Sequence, residues 1–251
     1  MCGRFVCAAD RSRIESQFDA IADEHPPLNP DFNVAPTKKV YAVVERHRAN
    51  SDEAPSNERQ VKVMTWGLIP FWSKDSKIAS RLVNARLETA ASKPSFRTAW
   101  AKRRAIIPAD GYYEWLSRMP NPGAKPYKQP FYIHPSDGSE LAMAGLYEIW
   151  RNPEVADDRD PDAFRWTCTI LTTTATDELG QIHDRMPLLV PATRTGDWLD
   201  PHSVAPAEDI LVPAAPGLLA VAPVSTQVNS VRNNGPELID PIRLDSEPVG
   251  E

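Results

Sequence analysis

The sequence predicts an α+β fold: a single β-rich domain of curved, mostly antiparallel sheets, open and barrel-like, with short peripheral helices. Seven short β-rich runs bounded by proline, glycine or polar clusters are spread along the chain. The helical stretches among them are brief and lack the regular strand-helix alternation of a parallel sheet. With 251 residues and an even spread of aromatic and β-branched side chains, the chain has material for one sizeable core.

In chain order, Ile14, Phe18 and Ile21 recur at helical spacing in a polar background, which predicts an amphipathic helix over 10–23 that pins the N-terminal segment to the body. The predicted strands are KVYAVVE (39–45), VKVMTWGLI (61–69), RAIIPA (104–109), GYYEWL (111–116), PFYIH (130–134), ELAMAGLYEIW (140–150) and RWTCTILTTT (165–174). Helical pieces are expected at 85–92, 95–103, 176–182 and 193–199. Residues 47–60, 117–129 and 151–163 are polar and rich in turn formers, so they are expected to be insertion-like surface loops. The domain is expected to occupy 1–235, and the proline-rich, acidic stretch 236–251, which has no periodic pattern, a loose tail. No internal repeat is visible.

Charged residues make up 25% of the chain and hydrophobic residues 41%, an ordinary soluble composition. No apolar run has the length needed to span a bilayer, and MCGRFVCAADRSR lacks the basic stretch and apolar core of a secretory signal. A cytoplasmic protein with no membrane contact is expected. Cys2, Cys7 and Cys168 are an odd count without paired metal spacing, so neither a disulfide framework nor a metal site is expected. A net charge of −6 argues against coating nucleic acid by bulk attraction, yet leaves room for a local basic groove.

Cys2 follows the initiator methionine, and a side chain this small generally permits removal of Met1. The product is a terminal 1,2-aminothiol, with an amine of pKa about 8 and a thiol of about 8.5 in their unperturbed states. With an aldehyde, the amine forms an imine and the sulfur closes a five-membered thiazolidine. With an amide or ester, the thiol is an acyl-transfer nucleophile and the amine its base. Gly3 allows close approach of backbone to a substrate, and Arg4 sets a cation beside the nucleophile. An accidental Met-Cys, a turn glycine and a surface arginine would read the same way.

Further along, IIPADGYYEW places Glu114 between Tyr113 and Trp115, where partial desolvation would raise its pKa toward the range of general acid-base work. Simple alternation could instead turn it to solvent. His183, in QIHDRMPLLV, precedes a compact Asp-Arg-Met-Pro turn and is the candidate proton shuttle, whereas His25, His47, His134 and His202 sit in loop-like or strand-end contexts. Asn84 and Arg86 stand at what reads as a helix entrance; the asparagine can cap the helix or orient a substrate oxygen, and the arginine can grip phosphate through two nitrogens. Trp66, Phe71 and Trp72 surround a proline turn, as core residues or as a stacking surface for unpaired bases.

The segments MCGRF, NVAPT, WGLIPFW, NARLET, KPSFR, IIPADGYYEW, AGLYEIW and HDRMP occur in this order over residues 1 to about 190. In them the chain resembles the SOS response-associated peptidase family, abasic-site processing proteins that shield abasic sites in single-stranded DNA. The resemblance implies that Cys2 is the covalent nucleophile, forming a thiazolidine with the ring-opened aldehyde. It implies that Asn84 positions the N-terminus or the sugar and that Glu114 and His183 handle protons. Arg4, Arg86 and Arg185 become phosphate-contacting candidates, with Pro36, Trp66, Trp72 and Trp115 as surfaces against bases. No cofactor or metal is implied, removal of Met1 is autocatalytic or left to an aminopeptidase, and the partner is single-stranded DNA containing abasic sites, bound by a monomer in the nucleoid. Two other readings stand beside it. An N-terminal-nucleophile amidohydrolase of the class II glutamine amidotransferase type also begins Met-Cys-Gly, although no glutamine-binding arginine-glycine signature is visible. A non-covalent single-strand-binding module would use the arginines and aromatics without needing Cys2, Glu114 or His183.

Overall fold

The computed structural model describes residues 2–48, 56–119, 125–200, 202–203, 210–211, 213–215 and 217–244. Among these, the first half of the chain supplies β1 (Phe5–Cys7), helix α1 (Arg11–Phe18), β2 (Ile21–Ala22), β3 (Asp31–Val34), β4 (Lys39–Arg48), β5 (Ser56–Trp66), β6 (Asn84–Arg86) and the short helices α2 (Leu87–Ala90) and α3 (Arg97–Lys102). Next come β7 (Arg104–Ala109), β8 (Gly111–Arg118), β9 (Tyr127–Pro135), β10 (Leu141–Arg151) and β11 (Phe164–Thr174). Helix α4 (Asp177–Ile182), β12 (Arg185–Pro187), α5 (Thr195–Leu199) and β13 (Leu219–Pro223) complete it. No helix among the described residues is long and apolar enough to cross a membrane.

The strands form two sheets, as the expected curved α+β architecture requires. The smaller has the order β13-β9-β8-β1-β3 and the larger β12-β11-β10-β7-β4-β5-β2, with β6 attached to β11. A parallel contact of β5 with β11, Thr167 opposite Thr65 and Cys168 opposite Trp66, joins strands that are distant in that order and closes β11-β10-β7-β4-β5 into a ring. Closure explains the sequence of β11. Residues 167–173 are buried without alternation, because one face looks into the ring and the other is covered.

The chain passes from the large sheet to the small one between β7 and β8, through Asp110 and Gly111. Asp110 fixes that corner by accepting hydrogen bonds from the backbone N–H groups of Ala8 and Ala9 at 2.7 and 3.3 Å. Gly111 is required because a Cβ there would lie 2.5 Å from the Tyr132 ring and 2.6 Å from the Ile133 carbonyl oxygen. β8 then separates two apolar clusters by its pleat. Tyr112 faces the main core with Cys2, Phe5 and Trp66, while Tyr113 packs on the opposite side with Val6, Tyr132, Val224, Val228 and Leu238.

Several expectations need correction. The helix expected over 10–23 ends at Phe18, where Asp19 turns left-handed (φ 48°), and Ile21 is 61% exposed in a two-residue strand beside β5. The stretch 47–60 is not a free loop, because β4 and β5 run into it as a hairpin; only 49–55 lie outside the described residues. Likewise β8 extends to Arg118 and β9 starts at Tyr127, with 120–124 outside the described residues. Loop 151–163 is pinned at its base, where the Asn152 N–H donates to the Ala163 carbonyl at 2.8 Å and Ala163 is fully buried. Residues 236–244 are not loose: Pro236–Ile239 form a 3-10 turn that buries Leu238 completely, and the Ile242 N–H donates to the Pro223 carbonyl at 2.9 Å. A single 3-10 turn leaves no period to read in sequence; residues 245–251 lie outside the description.

Leu238→Ala tests whether this segment belongs to the body. Emptying a buried leucine site costs about 2–5 kcal/mol. Urea denaturation is expected to show such a loss, whereas a change under about 0.5 kcal/mol would return the segment to a tail.

Candidate active site

β1 is only three residues long but is hydrogen-bonded on both sides, to β3 and to β8. Phe5 pairs with Tyr112 and Val6 with Gly111, and the Tyr113 N–H donates to the Arg4 carbonyl at 2.9 Å. The same antiparallel register carried back along the chain sets Gly3 opposite Glu114. Cys2 is therefore delivered beside the one carboxylate of β8. It is fully buried, and burial, reinforced by the charge of Glu114, pushes its thiol well above the usual range.

A second clamp comes from the large sheet. β6 runs parallel to β11, with Asn84 opposite Ile170. The preceding carbonyl, of Val83, accepts from the Trp66 indole N–H at 2.9 Å and from the Ile170 N–H at 3.1 Å. So held, the Asn84 amide donates through Nδ2 to the Cys2 carbonyl at 2.7 Å. Asn84 Oδ1 is buried and takes no hydrogen bond from the described residues. The asparagine belongs to a strand rather than to the predicted helix entrance, and its amide holds the N-terminal segment instead of capping α2.

Glu114 is 3% exposed, so alternation turns it inward and not to solvent. Burial raises its carboxyl pKa, and nearby positive charge, His183 included, opposes the rise. His183 terminates α4, its N–H donating to the Leu179 carbonyl at 3.0 Å. Its Nδ1 lies 3.0 Å from the Arg185 N–H and 2.8 Å from Asp184 Oδ1, contacts that require opposite protonation states of that nitrogen. The Arg185 amide can only donate, so in that hydrogen bond Nδ1 is the acceptor and the ring proton sits on Nε2, whereas a protonated ring would donate from Nδ1 to Asp184. Cys2, Asn84, Glu114 and His183 thus share one site at the seam of the two sheets.

The remaining candidates divide. Trp72 (49% exposed) with its neighbour Phe71 (55%), together with Arg86, presents itself to solvent. Pro36 is partly exposed. Trp66 has no exposed surface and packs edge-on against Phe5 at 4.9 Å, which corrects its reading as a base-stacking surface: it is a core residue that holds Val83. Arg4 is turned inward, donating from Nη1 to Asn33 Oδ1 at 2.7 Å and to the Val228 carbonyl at 2.9 Å, with its guanidinium 5.8 Å from the Trp115 ring. Trp115 donates through its indole N–H to Asn229 Oδ1 at 2.7 Å. Arg185 grips Glu88 through two nitrogens at 2.6 and 3.0 Å, which lowers the Glu88 carboxyl pKa, and also donates to the Thr172 carbonyl.

Two residues of the site's frame escaped the sequence reading. Asn33 is fully buried and donates to the carbonyls of Ser230 and Asn233 at 3.0 and 2.9 Å while accepting from Arg4. It opens the NVAPT segment, but its carbonyl partners lie some two hundred positions away, so the local sequence does not show what it binds. Tyr112 stands two residues before Glu114 on the same face of β8. That alternation was visible in GYYEW.

Body and site define a β-rich protein that builds its polar centre around the first residues of its chain. It belongs to the family described as SOS response associated peptidase (SRAP), whose model matches residues 1–231. Among its relatives, "Abasic site processing protein YoqW" of Bacillus subtilis (strain 168) is 37% identical over 245 residues, covering 96% of this chain and 99% of the relative. "Abasic site processing protein YedK" of Escherichia coli (strain K12) is 33% identical over 253 residues, covering 96% and 100%. "Abasic site processing protein HMCES" of Gallus gallus is 31% identical over 277 residues, covering 97% of this chain and 79% of the relative. The fold is similar to the crystal structure of a protein from Bacteroides thetaiotaomicron, with a TM-score of 0.76 at 25% identity over 96% of this chain and 100% of that one.

The buried carboxyl makes stability depend on pH with a defined sign. Because the folded state raises the Glu114 pKa, it holds the proton more tightly than the unfolded chain, whose carboxyl has a pKa of about 4.3. That contribution is complete below the unfolded value and is lost as pH rises through the folded one. Burial raises Glu140 and Glu148 in the same direction. Glu114→Gln, uncharged throughout, is therefore expected to gain stability relative to the wild type in urea denaturation as pH rises above the unfolded carboxyl value of about 4.3. A gap that stays constant with pH would show that Glu114 is not held up by burial.

Proposed function

We propose that this protein captures abasic sites in single-stranded DNA covalently, through a thiazolidine formed on Cys2 after Met1 is removed. The observation that carries the reading is the convergence of both sheets on Cys2: Asn84 holds its carbonyl, and Glu114 is buried beside it. The names of the relatives agree with the target, since YoqW, YedK and HMCES are each called abasic site processing proteins.

The chemistry suits an opened abasic sugar, which presents an aldehyde. The amine of Cys2 adds to that carbon, water leaves, and the sulfur closes on the imine. Glu114, its pKa raised by burial, is suited to give a proton to the departing oxygen and to receive one from the thiol. Asn84 fixes the backbone of the nucleophile through Nδ2 and keeps Oδ1 as an acceptor for the new amine or a sugar hydroxyl. His183, with Nδ1 turned to the Arg185 amide, offers its Nε2–H toward the opened sugar. Cys2 has no exposed surface here, so capture requires that its amine and sulfur become accessible in the processed protein. The strand itself is held on the exposed side by Arg86 with Trp72 and Phe71, bases stacking on the rings. Binding of this kind weakens as salt rises. Removal of Met1 by the same nucleophile is a peptidase step of the same centre.

Incubation with an abasic single-stranded oligonucleotide followed by a denaturing gel tests the reading. The wild type is expected to give a band that survives denaturation; Cys2→Ala abolishes it, and Glu114→Gln slows its appearance by about 10²–10⁴-fold. Hydrolysis of glutamine without such a band would favour an amidohydrolase. Reversible DNA binding indifferent to Cys2→Ala would favour a simple binding module.

A further inference from the structure

One polar atom at the seam has no use in the scheme above. The Tyr112 hydroxyl is buried, the residue being 1% exposed, and makes no hydrogen bond to any described residue. Buried hydroxyls are almost always satisfied, because desolvating one without a partner costs free energy that phenylalanine of nearly the same shape would not. Its location is set by the fold. Tyr112 pairs with Phe5, lies on the same face of β8 as Glu114 and packs in the same core cluster as Cys2. Tyr113 and Trp115 point the other way, into the cluster of Val6 and Leu238. The unpartnered hydroxyl therefore belongs to the cysteine side of the strand.

We propose that Tyr112 is a further catalytic residue, whose hydroxyl donates a hydrogen bond to the oxygen of the aldehyde as that oxygen becomes the leaving water. The inference rests on the covalent-capture reading. In that reaction the Cys2 amine adds to the aldehyde carbon, and the carbonyl oxygen takes up protons and departs as water. The sulfur then bonds to the imine carbon as the thiol proton is released. The sum is aminothiol plus aldehyde giving thiazolidine plus water, with no oxidant or reductant. Negative charge gathers on the oxygen at the first step. Glu114 can supply a proton but is a single group, and a second, fixed donor stabilises the developing oxyanion where water is excluded. Tyr112 suits that task because burial keeps its hydroxyl protonated, and so a donor.

The test compares mature wild type and Tyr112→Phe in single-turnover crosslinking over a range of abasic oligonucleotide concentrations, together with thermal unfolding of both. For Y112F the maximal rate is expected to fall about tenfold or more, while the half-saturating DNA concentration stays put. Tm is expected to be unchanged or higher, since an unsatisfied buried group has been removed. A maximal rate within about twofold of the wild type, or a loss seen only in half-saturation, overturns the role. So does a lower Tm, which would mark the hydroxyl as structural. If the wild type itself forms no crosslink, covalent capture fails and this inference with it; a wild type that crosslinks beside an equally fast Y112F defeats only the inference.

Discussion

The centre depends on the clamping of a three-residue strand. β1 contributes little area of its own, yet its pairing with β3 on one side and β8 on the other decides where residue 2 stands. In a strand pair a slip of one residue would turn every side chain to the opposite face. Here the register is locked by unlike devices: the apolar split between Phe5 and Val6, the Asp110 carboxylate on the Ala8 and Ala9 amides, and Gly111, where no larger residue fits against Tyr132. Because these act on different atoms, none can be satisfied in a shifted register without breaking the others.

Assembly from two sheets gives the centre its electrostatic character. Cys2, Tyr112 and Glu114 come from the small sheet, while Asn84 and His183 reach it from elements attached to β11. Desolvation at the seam raises the pKa of each of these acids and so favours its protonated form. Three proton donors can then crowd together without the repulsion that charged neighbours would suffer. The arrangement stores protons close to the nucleophile, at the expense of its ionisation. A cysteine so buried is a poor thiolate until its surroundings change.

Local patterns in the sequence mark the seven longer strands but not the short ones, and the four residues of the centre were singled out by the family resemblance, through MCGRF for Cys2, NARLET for Asn84, GYYEW for Glu114 and HDRMP for His183. What sequence left open depends on distance in the chain. Asn33, at the start of NVAPT, binds carbonyls of residues 230 and 233, and Leu238 packs in one cluster with Tyr113; neither partnership shows in the local sequence. Periodicity failed where an element is too short to show a period, as at β6, which reads like a helix start but pairs with β11. Trp66 was misread for a related reason. A tryptophan beside a proline turn looks the same whether its ring meets solvent or, as here, a phenylalanine.

Cations follow a similar logic and bear on how DNA would be held. Of the three arginines that motif position marks for phosphate, Arg4 is tied to Asn33 and Val228 and Arg185 to Glu88. Arg86 is exposed. With a net charge of −6, the protein has little long-range attraction for a polyanion, so affinity under the proposed reading must come from a few close contacts and from stacking on Trp72 and Phe71. Such binding would be fast to reverse, and under that reading it would let the protein sample undamaged strand without lingering. Residence would then be conferred by the proposed covalent bond at the one sugar that carries an aldehyde. Selectivity would then lie in the reaction itself, and a tight non-covalent grip would only slow the search for its target.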